Sequence, residues 1–143
     1  MHKITVLLLG LALAVSATAA SKKIIQPKDF PTGRPFSPGI LVDDTLYIAG
    51  QTGADLKTGQ FPEDFDVEVK QCLDNIGLVL REAGMSFDDA VAVQVYLTDM
   101  SLFPRMNAVY TTYFKEPRPA RTTVGVAKLV GPARIEVTVT AHR

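Results

Sequence analysis

The chain has 143 residues, with 15 Lys and Arg against 15 Asp and Glu, so it lacks the basic excess that a nucleic-acid binder needs. One cysteine, Cys72, excludes an intramolecular disulfide, and two histidines, His2 and His142, leave most metal sites and most Ser-His or Cys-His nucleophile pairs unsupplied. Chemistry then falls to arginine, carboxylate, hydroxyl and backbone groups, with no metal and no cofactor expected.

Residues 1–20 open with basic Lys3, continue through an apolar run from Ile4 to Val15 and end in small residues at Ala17 and Ala19. That order is the grammar of a secretory signal peptide. The apolar run is shorter than the roughly 20 residues of a spanning helix. We expect residues 1–20 to be removed and residues 21–143 to form one exported domain, periplasmic or secreted, with no membrane attachment after cleavage.

From Ser21 to Pro38 the chain is polar and carries Pro27, Pro31, Pro35 and Pro38, which restrict it to a short edge strand near Ile24 to Gln26. GILV, a turn at Asp43-Asp44 and TLYIAG read as a hairpin. A loop punctuated by Gly50, Gly53 and Gly59 follows; its GxxG and KTG fragments lack the contexts that would give them chemistry. Val69, Cys72, Leu73, Ile76, Val79, Leu80 and Ala83 recur at helical spacing, predicting a helix from Asp66 to Ala83 closed by Gly84. Cys72 lies on its buried stripe and reads as a small core residue.

Val91, Val93, Val95 and Leu97 alternate with Ala92, Gln94, Tyr96 and Thr98, the period of a strand. A second helix is predicted from Ser101 to Phe114, ended by EPRP. Two strands close the chain, Arg121 to Ala127 and Arg134 to Ala141. The order β-β-β-α-β-α-β-β predicts an α+β domain, one mixed sheet with both helices on one face.

Alternation along the last two strands suggests where the charges point. If Thr122, Val124 and Val126 join Ile135, Val137, Val139 and Ala141 against the helices, Arg121 and Thr123 face the other way beside Glu136, Thr138 and Thr140. That second face is semi-apolar and calls for a partner, expected to be another copy of the chain. Arg121 and Glu136 then form either an interface ion pair or a carboxylate hook next to an acid. Arg118, between two prolines, is expected to be solvated and replaceable.

With these residues in place, the mature segment resembles the RidA/YjgF family of enamine/imine deaminases. The resemblance rests on Gly50-Gln51 after YIA, on Gln71, Leu73, Asn75 and Ala83-Gly84, on Asn107 and Tyr110, on Pro119-Ala120-Arg121-Thr122 with Val124, and on Glu136 in RIEVTVTA. It implies a chorismate-mutase-like fold, a homotrimer with a cleft between each pair of subunits, and hydrolysis of a 2-imino or 2-enamino acid to a 2-keto acid and ammonia. It implies that Arg121 binds the substrate carboxylate, that Glu136 positions the water, and that Gly50, the Thr123 backbone and Asn107 contribute to the pocket.

The departures from the family pattern are equally specific. Phe36 stands at a substrate-contacting position where a tyrosine is usual, Ala49 where a serine is usual, Thr123 where a cysteine is frequent and Val130 where a proline is common. The pocket is therefore expected to be more apolar, suited to a different or bulkier substrate. An exported, non-catalytic binding protein for a small carboxylate is the alternative. Ribonuclease activity is opposed by the balanced charge and the leader.

Overall fold

The computed structural model describes residues 21–143; the leader expected over residues 1–20 lies outside the described residues. In chain order the elements are β1 (Lys22–Ile25), β2 (Gly39–Val42), β3 (Thr45–Thr52), α1 (Phe65–Glu82), β4 (Ala90–Leu97), α2 (Phe103–Tyr113), β5 (Ala120–Gly125) and β6 (Ile135–His142). The six strands make one mixed sheet in the order β1-β2-β3-β6-β4-β5. Fold class and element order agree with the sequence reading.

Local chemistry explains where α1 begins and ends. Asp64 caps its first turn by accepting hydrogen bonds from the Asp66 and Val67 amides at 2.9 and 3.2 Å. Gly84 ends it at φ +71°, a left-handed conformation that glycine adopts without steric cost. Between these ends Val69, Cys72, Leu73, Ile76, Val79 and Leu80 are buried. They pack α1 on β3 and β6 and against α2. Arg105 of α2 ties the two helices together, donating to Asp66 at 2.8 Å and Asp64 at 3.0 Å.

Cys72 is fully buried, as its place on the stripe implies, and its thiol donates to the Gln51 carbonyl at 3.0 Å. Burial pushes that thiol far above its ordinary pKa, so it stays protonated.

Two register shifts alter what simple alternation predicts. Between β3 and β6 the ladder passes from Ile48↔Val139 to Gln51↔Val137, so β3 carries one extra residue at Ala49-Gly50. Ile48 and Gln51 therefore both face the core although they differ in parity. Between β4 and β6 a second shift lies at Ala90/Ala92. It turns Val91 outward, 48% exposed, while Ala90 takes the inner position that alternation had assigned to Val91.

The larger correction concerns β5. It pairs parallel with β4, across the α2 crossover, and β6 inserts between β3 and β4. Arg121 and Thr123 are aligned with Val93 and Val95, which are buried beneath the helices, while Thr122 and Val124 are aligned with Gln94 and Tyr96 on the open face. Thr122 and Val124 thus point away from the helices, the reverse of the predicted parity. Arg121 and Glu136 lie on opposite faces of strands that are not neighbours. Glu136, Thr138 and Thr140 do lie on the open face, where Thr138 donates to Gln94.

Candidate functional site

Glu136 sits on the open face of the central strand β6, aligned with Thr52 of β3 and Tyr96 of β4. The extra residue in β3 brings the Gly50 backbone directly under its carboxyl group. A Cβ at Gly50 would come within 2.9 Å of Glu136 Cδ and closer still to Oε1, so any larger residue here would have to displace the Glu136 side chain from this position. Gln51 supports the bulge by donating to the Ala49 carbonyl at 2.9 Å.

The strand end that carries Glu136 is braced from below. Glu68 of α1, 0% exposed, accepts from the Arg134 amide at 2.8 Å and from its Nε at 2.5 Å. The same guanidinium donates to the Pro62 and Glu63 carbonyls at 2.9 and 3.0 Å. Asn75 holds the loop from the other side, donating to the Thr52 and Ala54 carbonyls at 3.0 and 2.9 Å. The motif residue Asn75 is thus a structural clamp on the segment that frames the site.

A cavity of about 550 Å³ opens over Gly50 and Glu136 and is lined also by Phe36, Phe61, Ala49 and Arg34. Burial raises the Glu136 carboxyl above the ordinary glutamate range. Among the described residues no cation is ion-paired to it. A desolvated carboxylate without a paired cation suits a proton acceptor. Phe36 is in the wall, as the resemblance implies, and brings no hydroxyl. Arg34 and Phe61 escaped the sequence reading because both lie in irregular loops with no periodic signal.

Arg121 belongs to a different hollow of about 370 Å³, formed by the edge strand and α2 and lined by Asn107, Tyr110, Thr111, Arg118 and Pro119. Its guanidinium carbon lies 4.5 Å from the centroid of the Tyr110 ring and 5.7 Å from that of Phe103. The aromatic faces fix the cation by cation–π attraction while leaving its hydrogen-bond donors free of any carboxylate among the described residues. Arg118 borders the same hollow and is exposed, as its flanking prolines suggested, beside the exposed Glu116.

The structure therefore brings Gly50, Phe36 and Glu136 together, and separately Arg121 and Asn107. It does not unite the two groups within one chain. Thr123 lies beside Arg121 on β5, on the helix side; its hydroxyl and that of Tyr110 are buried without a hydrogen-bond partner among the described residues.

Comparisons with known proteins show the family and the fold. The profile of the family described as Endoribonuclease L-PSP matches residues 27–143. The chain is 42% identical over 110 residues to a RutC family protein of Sulfurisphaera tokodaii, covering 76% of this chain and 87% of that protein. It is 39% identical over 118 residues to the 2-iminobutanoate/2-iminopropanoate deaminase of Mus musculus, covering 81% and 87%. The crystal structure of RidA from a Psychrobacter species superposes with a TM-score of 0.80 at 34% identity, over 85% of this chain and 99% of that one. The chain belongs to the Endoribonuclease L-PSP family, the RidA/YjgF family of imine deaminases and their relatives.

Proposed function

We propose that this protein is a cofactor-free hydrolase of 2-imino acids, giving a 2-keto acid and ammonia, with each site assembled from two copies of the chain. The observation that carries the reading is the Glu136 carboxylate, desolvated, without a cation partner and seated on the Gly50 backbone in an open cavity. The deaminase activity named for the mouse relative supports it.

In this reading Arg121 of one copy grips the substrate carboxylate through two parallel charge-assisted hydrogen bonds. Glu136 of the neighbouring copy orients a water at the imine carbon and takes its proton as the C–O bond forms. That proton passes to the imine nitrogen, giving a carbon that bears both hydroxyl and amino groups. The hydroxyl proton is then moved to the amino nitrogen as the C=O bond forms and the C–N bond breaks, so that ammonia leaves and the carbonyl remains. The residues that the sequence suggested for both roles are retained, but the pairing across one sheet is replaced by pairing across an interface. A closed trimer suits this arrangement, because each copy offers one hollow of each kind and three such contacts close a ring. The leader pattern of residues 1–20 supports export to the periplasm or the medium.

The test is complementation between two inactive variants. Glu136→Gln and Arg121→Ala are each expected to lose hydrolysis of 2-iminobutanoate generated in place by an amino-acid oxidase. Co-assembled in equal amounts they regain about a quarter of wild-type activity, since random mixing pairs an intact Arg121 with an intact Glu136 at that frequency. No regain would sink the shared site, and an inactive wild type would sink the hydrolase.

A further inference from the structure

The cavity over Glu136 contains a cation for which the imine reaction has no use. Arg34 lines it together with Phe36, Phe61, Gly50 and Glu136, and among the described residues it is the single cationic side chain to do so. Its guanidinium carbon lies 5.7 Å from the centroid of the Phe36 ring. Pro35 after it restricts the Arg34 backbone to extended conformations. Among the described residues no carboxylate pairs with it. Residues 1–20 contain no Asp or Glu.

We infer that Arg34 reads a second negative charge on the substrate, so that the preferred substrates are 2-imino acids whose side chain ends in a carboxylate or a similar anion. The inference rests on the hydrolase reading above and deepens it. Arg121 from the neighbouring copy takes the carboxylate next to the imine, which leaves Arg34 for the far end of the side chain. A second anion entering a cavity that already holds Glu136 is repelled unless a cation faces it. Arg34 supplies that cation, and its planar fork matches a carboxylate. The Phe36 and Phe61 rings in the wall of the same cavity give apolar surface for the methylene groups of such a side chain.

Titration calorimetry with product-like keto acids tests this independently of turnover. The purified protein is expected to bind the five-carbon dicarboxylic acid 2-oxopentanedioate about ten-fold more tightly than 2-oxobutanoate, the scale of one added charge-assisted contact. Arg34→Ala collapses that ratio toward one, and Arg34→Lys restores part of it. Equal affinities in the wild type, binding of neither acid, or an Arg34→Ala variant that keeps the ratio would each overturn the inference. An Arg34→Ala variant that changes the oligomeric state but keeps the ratio would identify an interface cation instead.

Hydrolysis assays separate the two readings. Turnover of 2-iminobutanoate without a dicarboxylate preference removes only the role of Arg34. A preserved binding preference with no turnover of either imine removes the hydrolase and leaves Arg34 as a ligand contact.

Discussion

The two half-sites of this chain are built in opposite ways. The Glu136 half stands on the central strand, where a bulge, a glycine seat and the buried Glu68–Arg134 pair fix one carboxylate. The Arg121 half stands on an edge strand, held by one helix and two aromatic rings. The contrast follows the two tasks. A base must be placed to a fraction of an ångström relative to the water it activates. A guanidinium anchoring a carboxylate tolerates more play, and at an edge it can be presented to a neighbouring molecule.

Breaking the Glu68–Arg134 brace is expected to have the largest effect. Glu68→Ala removes the partner of Arg134 and opens a void under β6, and is expected to destabilise the fold by about 3 kcal/mol. Urea denaturation would measure it, and a loss below about 1 kcal/mol would mean that the pair does not brace this half.

Next in size is the seat itself. Gly50→Ala forces the Glu136 carboxyl to move, because the added Cβ overlaps it. About a ten-fold fall in kcat is expected, with affinity for a keto acid largely kept because the Arg121 hollow is untouched. A fall in affinity with kcat unchanged would reverse the assignment of the two halves.

The smallest effect is the pH dependence of Glu136. Its carboxyl is raised by burial, so the fold disfavours the ionised form. At pH values below the ordinary glutamate range the group is neutral in both folded and unfolded chain and costs nothing. The cost appears as pH rises through the ordinary value and is complete above the raised one. Glu136→Gln is therefore expected to raise Tm slightly at neutral pH and not in acid. The wild-type kcat/KM should fall on the acid side at a pH above the ordinary glutamate range. A Tm gain of the same size in acid and at neutral pH would show that desolvation of the carboxylate is not its source.

The features legible in the sequence are those carried by local periodicity. The stripe of α1 and the valines of β4 from Val93 onward bury as their spacing requires. Arg121 and Glu136 were both singled out; alternation gave the open face of Glu136 correctly and the face of Arg121 wrongly. Along β5 no residue is fully buried, so ARTTVG has no hydrophobic contrast from which to read parity. The bulges at Ala49-Gly50 and Val91 leave no mark in composition, since each is a mismatch between two strands far apart in the chain.

Sequence by itself determined which residues form helices and strands, because side-chain period and capping act over one or two turns. It also marked the acid and the arginine through their chemistry, and the glycine through the family resemblance. Only the tertiary structure decided that β6 enters between β3 and β4 and that β5 takes the edge, which leaves Arg121 under α2 and away from Glu136. The physical reason is that strand order is settled by long-range pairing and by how the helices cover the sheet. Those energies belong to contacts between segments, and no single segment carries them.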